Sequence, residues 1–269
     1  LEYLRMNGFH VIPNIMSNYP STSFSLPSTF NMEYLAPDST VPYTRQLAEH
    51  NNAAQFLKER GYAFVFVGSG STVMRGEEAD VRFTNNDFYR IVQGMTLLGS
   101  FMNPRQQVLN AFSDIEKAAK IPGPKFVIVH ILIPHVPYIF GEQGEDIGIN
   151  RGIQETPQDM ELYLGQLKFA NRKLQESIDS ILQSSGEKTP IIIVQSDHGV
   201  RLPKEWVPDD QERAVFRLRN FAAYLLPGKD VPPQEPWSTV NTFRFLFDLY
   251  FEPDFGLLEN KYWPSGTSF

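Results

Sequence analysis

Three apolar runs set what this chain can fold into. "YAFVFVG" at residues 62–68, "KFVIVHILI" at 125–133 and "PIIIVQSD" at 190–197 show no polar alternation. A strand with one wet face alternates apolar and polar residues, whereas a strand covered on both faces does not. Between the runs lie stretches of helical period. In "YLGQLKFANRKLQESIDSIL" the residues Leu167, Ala170, Leu174, Ile178 and Ile181 fall on one helical face. Apolar strands separated by amphipathic helices predict an α/β fold, a three-layer α/β/α sandwich around a mainly parallel central sheet. The three runs are expected to be neighbouring or near-neighbouring parallel strands in it.

The 269 residues suffice for one large domain or two small ones. No internal repeat, low-complexity tract or Gly/Ser linker marks a boundary, so a single domain over residues 1–269 is expected. "LEYLRMNGF" reads as a helix tail closed by Gly8, followed by a short strand in "HVIPNIM". "SNYPSTSFSLPSTFNMEYL" is a polar turn that becomes helical. Residues 42–60 carry helical spacing with Gly61 as cap, and 87–119 are mostly helical with a break near Pro104. "NFAAYLLPG" is a fourth strand, and 238–251 a closing helix.

Composition narrows the function. A net charge of -7 with no Lys/Arg block argues against a nucleic-acid surface, which needs a basic stripe, and against an anionic membrane patch. The absence of cysteine excludes disulfides, thiolate metal sites and a Cys nucleophile. No apolar run approaches the roughly 20 residues that span a bilayer, and no signal peptide is visible. The chain opens abruptly on "LEYLRMNGFHVIP", which reads as the middle of a fold, so a segment upstream is expected.

In an open α/β sheet, ligands gather at the carboxyl ends of the strands. There the third apolar run ends in "SDHG", which sets Asp197 and His198 side by side. Asp and Gly are ordinary turn formers, but an adjacent carboxylate and imidazole are also a common start for a metal site. Of the chain's five histidines, His130, His135 and His198 fall at or just past the end of a predicted strand. In "PHVPY" prolines 134 and 137 flank His135, which suits a side chain that must be aimed as well as a rigid exit from a strand. The hydroxyl-rich "SNYPSTSFSLPSTFN" at 17–31 fits simple N-capping. A hydroxyl nucleophile at a helix N-terminus would also gain from the positive field there.

Taken in order, "TSFSLP", "PHVPY" and "SDHG" after a buried strand resemble the alkaline phosphatase superfamily. The branch is the sulfatase-like one that includes lipoteichoic acid synthases and phosphoethanolamine transferases. The resemblance runs from "SNYPST" to "VNTFRFLFDLY". It implies Thr22 as nucleophile and metal ligand, from the "T-x-x-S-x-P" pattern at Thr22 to Pro27. It implies Asp197 and His198 as metal ligands, and His135 or His130 as contacts to the anionic oxygens or proton donors to the leaving group. Asn18, Ser25 and Arg201 are expected to bind substrate. A divalent cation (Zn, Mn, Mg or Ca) is expected in the complete protein.

The function so implied is an extracytoplasmic, metal-dependent phosphate- or sulfate-ester hydrolase or transferase with a covalent Thr22 ester. Its substrate would be an anionic ester, such as one on a lipid or a cell-envelope glycan, and membrane helices would lie upstream. Thr22 Oγ1 is expected within roughly 8 Å of an Asp197 carboxylate oxygen, a gap that one bound metal and relaxation would close.

Two departures stand out. No Asp precedes Thr22, where the family carries an acidic ligand, and Glu2 is the only acid there. No His follows residue 198, so no second metal is expected. With two firm ligands this chain alone is expected to hold a metal below full occupancy. The alternative is a catalytically incomplete binding or structural domain on the same fold. A serine hydrolase would need a Gly-x-Ser-x-Gly elbow, and "VGSGSTV" has its glycines in another register. It also lacks both nucleotide-binding patterns.

Overall fold

In the computed structural model the described residues are 1–36, 38–71, 73–84, 103–150, 152, 156–230 and 237–264. They divide into two compact units, Leu1–Phe56 with Lys188–Phe269, and Leu57–Glu187. The fold is α/β, as expected, with a parallel sheet and flanking helices.

The second unit is built on the first apolar run. Strand β2 (Ala63–Gly68) is buried along almost its whole length and pairs in parallel with β3 (Val81–Thr84) on one side and β4 (Lys125–His130) on the other. Because side chains alternate across a strand, Val65 and Val67 face one way and Phe64 and Phe66 the other. The valines pack with Ala111, Ile115 and Ala118 of α5 (Pro104–Ala119). The break expected near Pro104 is the first helical position, where a missing N–H costs nothing, and Asn103 caps it through Arg105 N. The expected helix upstream, in 87–102, lies outside the described residues.

A β-hairpin, β5 (Tyr138–Phe140) with β6 (Asp146–Asn150), precedes the long α6 (Pro157–Ser184), capped by Thr156. The predicted stripe of α6 is shifted. Ile178 is buried, Leu167, Ala170, Leu174 and Ile181 only half-buried, and Gln166 and Phe169 take the inner positions. Gln166 is admitted because its Oε1 accepts from Ile139 N and Phe140 N, which settles a buried amide against the hairpin backbone.

The first unit holds β1 (His10–Ile12), β8 (Ala222–Leu225) and β7 (Ile192–Gln195), in the order β1-β8-β7 and antiparallel throughout. The third apolar run, expected to run parallel beside the other two, therefore finds its described partner in the antiparallel β8. An apolar run carries no signal of strand direction, and β7 is half-buried at every position rather than buried on both faces.

Helices α1 (Glu2–Met6), α2 (Thr22–Asn31), α3 (Val41–Glu49) and α4 (Asn52–Lys58) come early in the chain. The helix expected over 42–60 is split between α3 and α4. Asn51 breaks it by donating Nδ2 to Ala48 O and capping the next helix through Ala54 N. Helix α7 (Asp210–Phe216), unmarked by the apolar pattern, starts on the Asp209 cap. A 3₁₀ turn (Thr239–Asn241) leads into α8 (Thr242–Phe251), where the closing helix is expected. No described helix is long and apolar enough to cross a membrane.

Candidate functional site

The site grows from the end of β7. Gln195 is held by Tyr224 Oη at 3.0 Å and Thr242 Oγ1 at 2.9 Å, and Ser196 N donates to Phe221 O at 3.0 Å. The strand then stops, and Asp197, His198 and Gly199 leave the sheet. Gly199 N donates to Arg217 O at 2.7 Å. A Cβ on Gly199 would lie 2.3 Å from both Phe216 O and Arg219 O, so only glycine lets this turn approach the end of α7.

The partner of this turn is the start of α2, 175 residues earlier in the chain. Thr22 Oγ1 donates to Asp197 Oδ2 at 2.5 Å and lies 3.4 Å from His198 Nε2. Asp197 Oδ2 is 3.6 Å from His198 Nε2. His198 Nδ1 is 2.9 Å from Gly199 O. A carbonyl only accepts, so Nδ1 carries the ring proton, and Nε2 turns a lone pair toward Thr22. Ser21, the N-cap residue, makes no side-chain cap bond, and the Thr22 hydroxyl is given to Asp197. Neither of these two hydroxyls is therefore spent on capping α2.

Asn18 and Ser25, expected to bind substrate, have other engagements. Asn18 is 0% exposed. Its Nδ2 donates to Lys261 O, and its Oδ1 accepts from Thr239 Oγ1 and Val240 N. Ser25, 1% exposed, donates to the main-chain oxygen of Asp197 at 2.5 Å. Burial closes the polar side-chain atoms of both residues on protein partners. Arg201 is exposed.

Arg217 carries no sequence motif and was not among the expected residues. Its Nη2 donates to Pro20 O at 2.7 Å, two residues before Thr22. Burial pushes its guanidinium down to about 10, the positive charge of Arg201 adds to this, and the Asp197 carboxylate opposes it. Arg217 thus grips both loops, Pro20 through its side chain and Gly199 through its carbonyl.

His130 and His135 belong to the second unit. His130 ends β4, and its carbonyl accepts from Ser69 N. His135 is exposed, with Nδ1 2.7 Å from Val136 O. The segment around His135 is pinned by Gln166, whose Nε2 donates to His135 O at 3.1 Å.

Among the described residues no three His, Asp or Glu side chains gather as a metal-binding group. The donors of the first unit still suit a divalent cation in part. Ligands at 2.0–2.2 Å in a tetrahedron are roughly 3.3–3.6 Å apart. His198 Nε2 stands at that spacing from both oxygens, while the Thr22–Asp197 contact is a hydrogen bond. Carboxylate, neutral imidazole and a hydroxyl that can ionise form the kind of mixed O/N set such ions accept.

Comparison with known proteins bears on this arrangement. The family model described as Sulfatase matches residues 1–234. No curated protein matches the chain. Among solved structures, the C-terminal periplasmic domain of EcEptC from Escherichia coli, in complex with Zn, is similar with a TM-score of 0.61 at 14% identity, over 91% of this chain and 73% of that one. A protein in the alkaline phosphatase superfamily from Vibrio parahaemolyticus gives 0.58 at 18% identity, over 89% of this chain and 57% of that one. The lipoteichoic acid synthase LtaP from Listeria monocytogenes gives 0.57 at 11%, over 92% and 65%.

Proposed function

The chain belongs to the sulfatase family, within the alkaline phosphatase superfamily, and from that premise we propose that it is an ester hydrolase or transferase in which Thr22 attacks phosphorus or sulfur. One observation carries the proposal. Thr22 Oγ1, at the first position of a helix, meets a carboxylate at 2.5 Å and an imidazole nitrogen at 3.4 Å that lie 175 and 176 residues away. Structural capping needs neither partner.

The chemistry follows from these groups. The N-terminus of α2 carries a positive field, which favours an alkoxide at Thr22 and an anionic substrate before it. The hydroxyl proton is already shared with Asp197 Oδ2 and leaves to that oxygen as Thr22 Oγ1 bonds to the central atom. The leaving oxygen departs with the bridging electron pair and takes up a proton from solvent or a neighbouring acid to become the alcohol, and Thr22 is left as a covalent ester. Water then completes hydrolysis, or an acceptor alcohol completes transfer. Asp197, His198 and ionised Thr22 are the residues that would hold a divalent cation, which supplies a lowered hydroxyl pKa and polarisation of the ester oxygen. Arg201 and Arg217 add positive charge on the side of Asp197. For His135 and His130 the resemblance implies contacts to anionic oxygens or proton donation to a leaving group.

The resemblance to a periplasmic domain and to a lipoteichoic acid synthase supports an extracytoplasmic setting and an ester on a lipid or envelope glycan. The test is turnover of aryl phosphate and aryl sulfate esters with added Zn, Mn, Mg or Ca, alongside mass spectrometry for a Thr22 adduct. Thr22→Ala should abolish turnover and adduct while leaving the fold and any bound metal intact. Wild-type turnover in Thr22→Ala would overturn the nucleophile assignment.

A further inference from the structure

The family match ends at residue 234, yet the chain beyond it reaches back to the nucleophile. After α8, residues 253–264 form neither helix nor strand. Such a segment usually gives its backbone to water. Here named side chains hold it at intervals. The Asp248 carboxylate accepts from Phe255 N and Gly256 N. Asn241 binds both the N–H and the carbonyl of Leu258, each at 2.9 Å. Tyr34 Oη accepts from Lys261 N and donates to Glu259 O. A route fixed at that many backbone groups is specified by the sequence.

The destination of that route is the turn before Thr22. Lys261 O accepts from Asn18 Nδ2 at 2.7 Å, and Trp263 N donates to Asn18 O at 2.9 Å. The Trp263 ring stacks on Tyr19 at 4.9 Å and 3°, and Tyr19 is 0% exposed. Between Asn18 and Thr22 only three residues intervene, too few to absorb a displacement.

We propose that residues 255–263 are a positioning strap, with Trp263 as its principal positioning residue, that holds the turn at 17–21 and so sets where Thr22 Oγ1 stands against Asp197 and His198. The consequence for rate rests on the nucleophile reading above. The structural part does not.

The experiment uses the full chain with Trp263→Ala and Trp263→Phe. Three readouts are amide hydrogen exchange over 17–22, kcat and KM for the ester, and thermal melting. For Trp263→Ala we expect exchange at 17–22 to rise at least about tenfold with β2 and β4 unchanged, and kcat to fall by about ten- to a hundredfold with KM within about twofold, since misplacement by about 1 Å costs that much. Trp263→Phe keeps a stacking ring and should recover most of both. If Trp263→Ala does not fold, Tyr34→Phe removes only the hydroxyl between Glu259 and Lys261 and should raise the same exchange. Unchanged exchange at 17–22 in a folded variant overturns the strap, whatever kcat does. Raised exchange combined with full activity in Thr22→Ala leaves the strap standing and removes the nucleophile.

Discussion

Replacing Gly199 by alanine isolates one close approach, and its cost follows from the distances around that turn. Gly199 is not among the positive-φ glycines, so alanine suits its backbone and any penalty is steric. The new Cβ would meet Phe216 O and Arg219 O at 2.3 Å and Arg217 C at 3.1 Å. An ordinary carbon–oxygen contact is about 3.3 Å or more, so each carbonyl would have to retreat by about 1 Å. Both belong to backbone at the end of α7, which has no free rotamer to turn aside. The same displacement lengthens the 2.7 Å bond from Gly199 N to Arg217 O beyond hydrogen-bonding range. Overpacking costs about 1–3 kcal/mol and the lost bond about 1 kcal/mol, giving about 2–4 kcal/mol.

In a chain of this size each kcal/mol lowers Tm by about 2–4 °C, so a drop of about 5–15 °C is expected. Turnover should fall with it, because the Gly199 carbonyl orients His198 Nδ1. Calorimetry of Gly199→Ala beside Gly123→Ala makes the comparison clean. Gly123 has φ +83° and nothing near its Cβ position, so it reports backbone strain alone, about 1–2 kcal/mol. A Gly199→Ala protein that melts within about 1 °C of wild type would refute the close approach.

Two further expectations concern buried polar groups. Burial pushes the Tyr224 phenol up to about 12, so the folded state keeps its proton longer than the unfolded one. The stability this gives is complete below pH 10 and is lost as pH rises through 12, about 2–3 kcal/mol in all. Urea unfolding between pH 9 and 12 should show that loss in wild type and a flatter profile in Tyr224→Phe, and parallel profiles would count against it. Gln166→Leu leaves Ile139 N and Phe140 N buried without their acceptor, at about 1–3 kcal/mol each. Its melt should fall by several degrees or more, and an unchanged Tm would show that the hairpin does not depend on Gln166.

What could be read from the sequence was what periodicity encodes. Unalternating runs located β2, β4 and β7, although the described structure buries both faces of β2 and leaves β4 and β7 mostly half-buried. The end of β7 pointed to Asp197 and His198 by the rule that α/β ligands lie beyond strand termini. Thr22 came from the pattern of the family, since nothing in seven nearby hydroxyls distinguishes a nucleophile from a cap. Direction was not legible, and β7 lies antiparallel to β8. Nor was the split at Asn51, where one side chain outcompetes the helical backbone for Ala48 O. The burial of Asn18 and Ser25 was not legible, because a sequence shows polarity and not exposure. Arg217 and Gln166 stayed hidden for a related reason: each acts on backbone groups brought near only by folding.

The charge pattern ties these pieces to the substrate class. A chain with net charge -7 repels an anion at long range, yet charges beyond about 8 Å are largely screened at physiological salt. What an incoming ester meets is therefore local. Near Thr22, Arg217 feels the positive charge of Arg201 and the negative charge of Asp197. Burial depresses its pKa, and its side chain donates to the neutral Pro20 carbonyl. A tetrahedral anion held before Thr22 would meet the field of Arg217 together with that of the N-terminus of α2, and both favour negative charge. The same field would favour the alkoxide over the alcohol at Thr22. Binding such an anion and activating Thr22 would then draw on one local field, opposite in sign to the chain's overall charge.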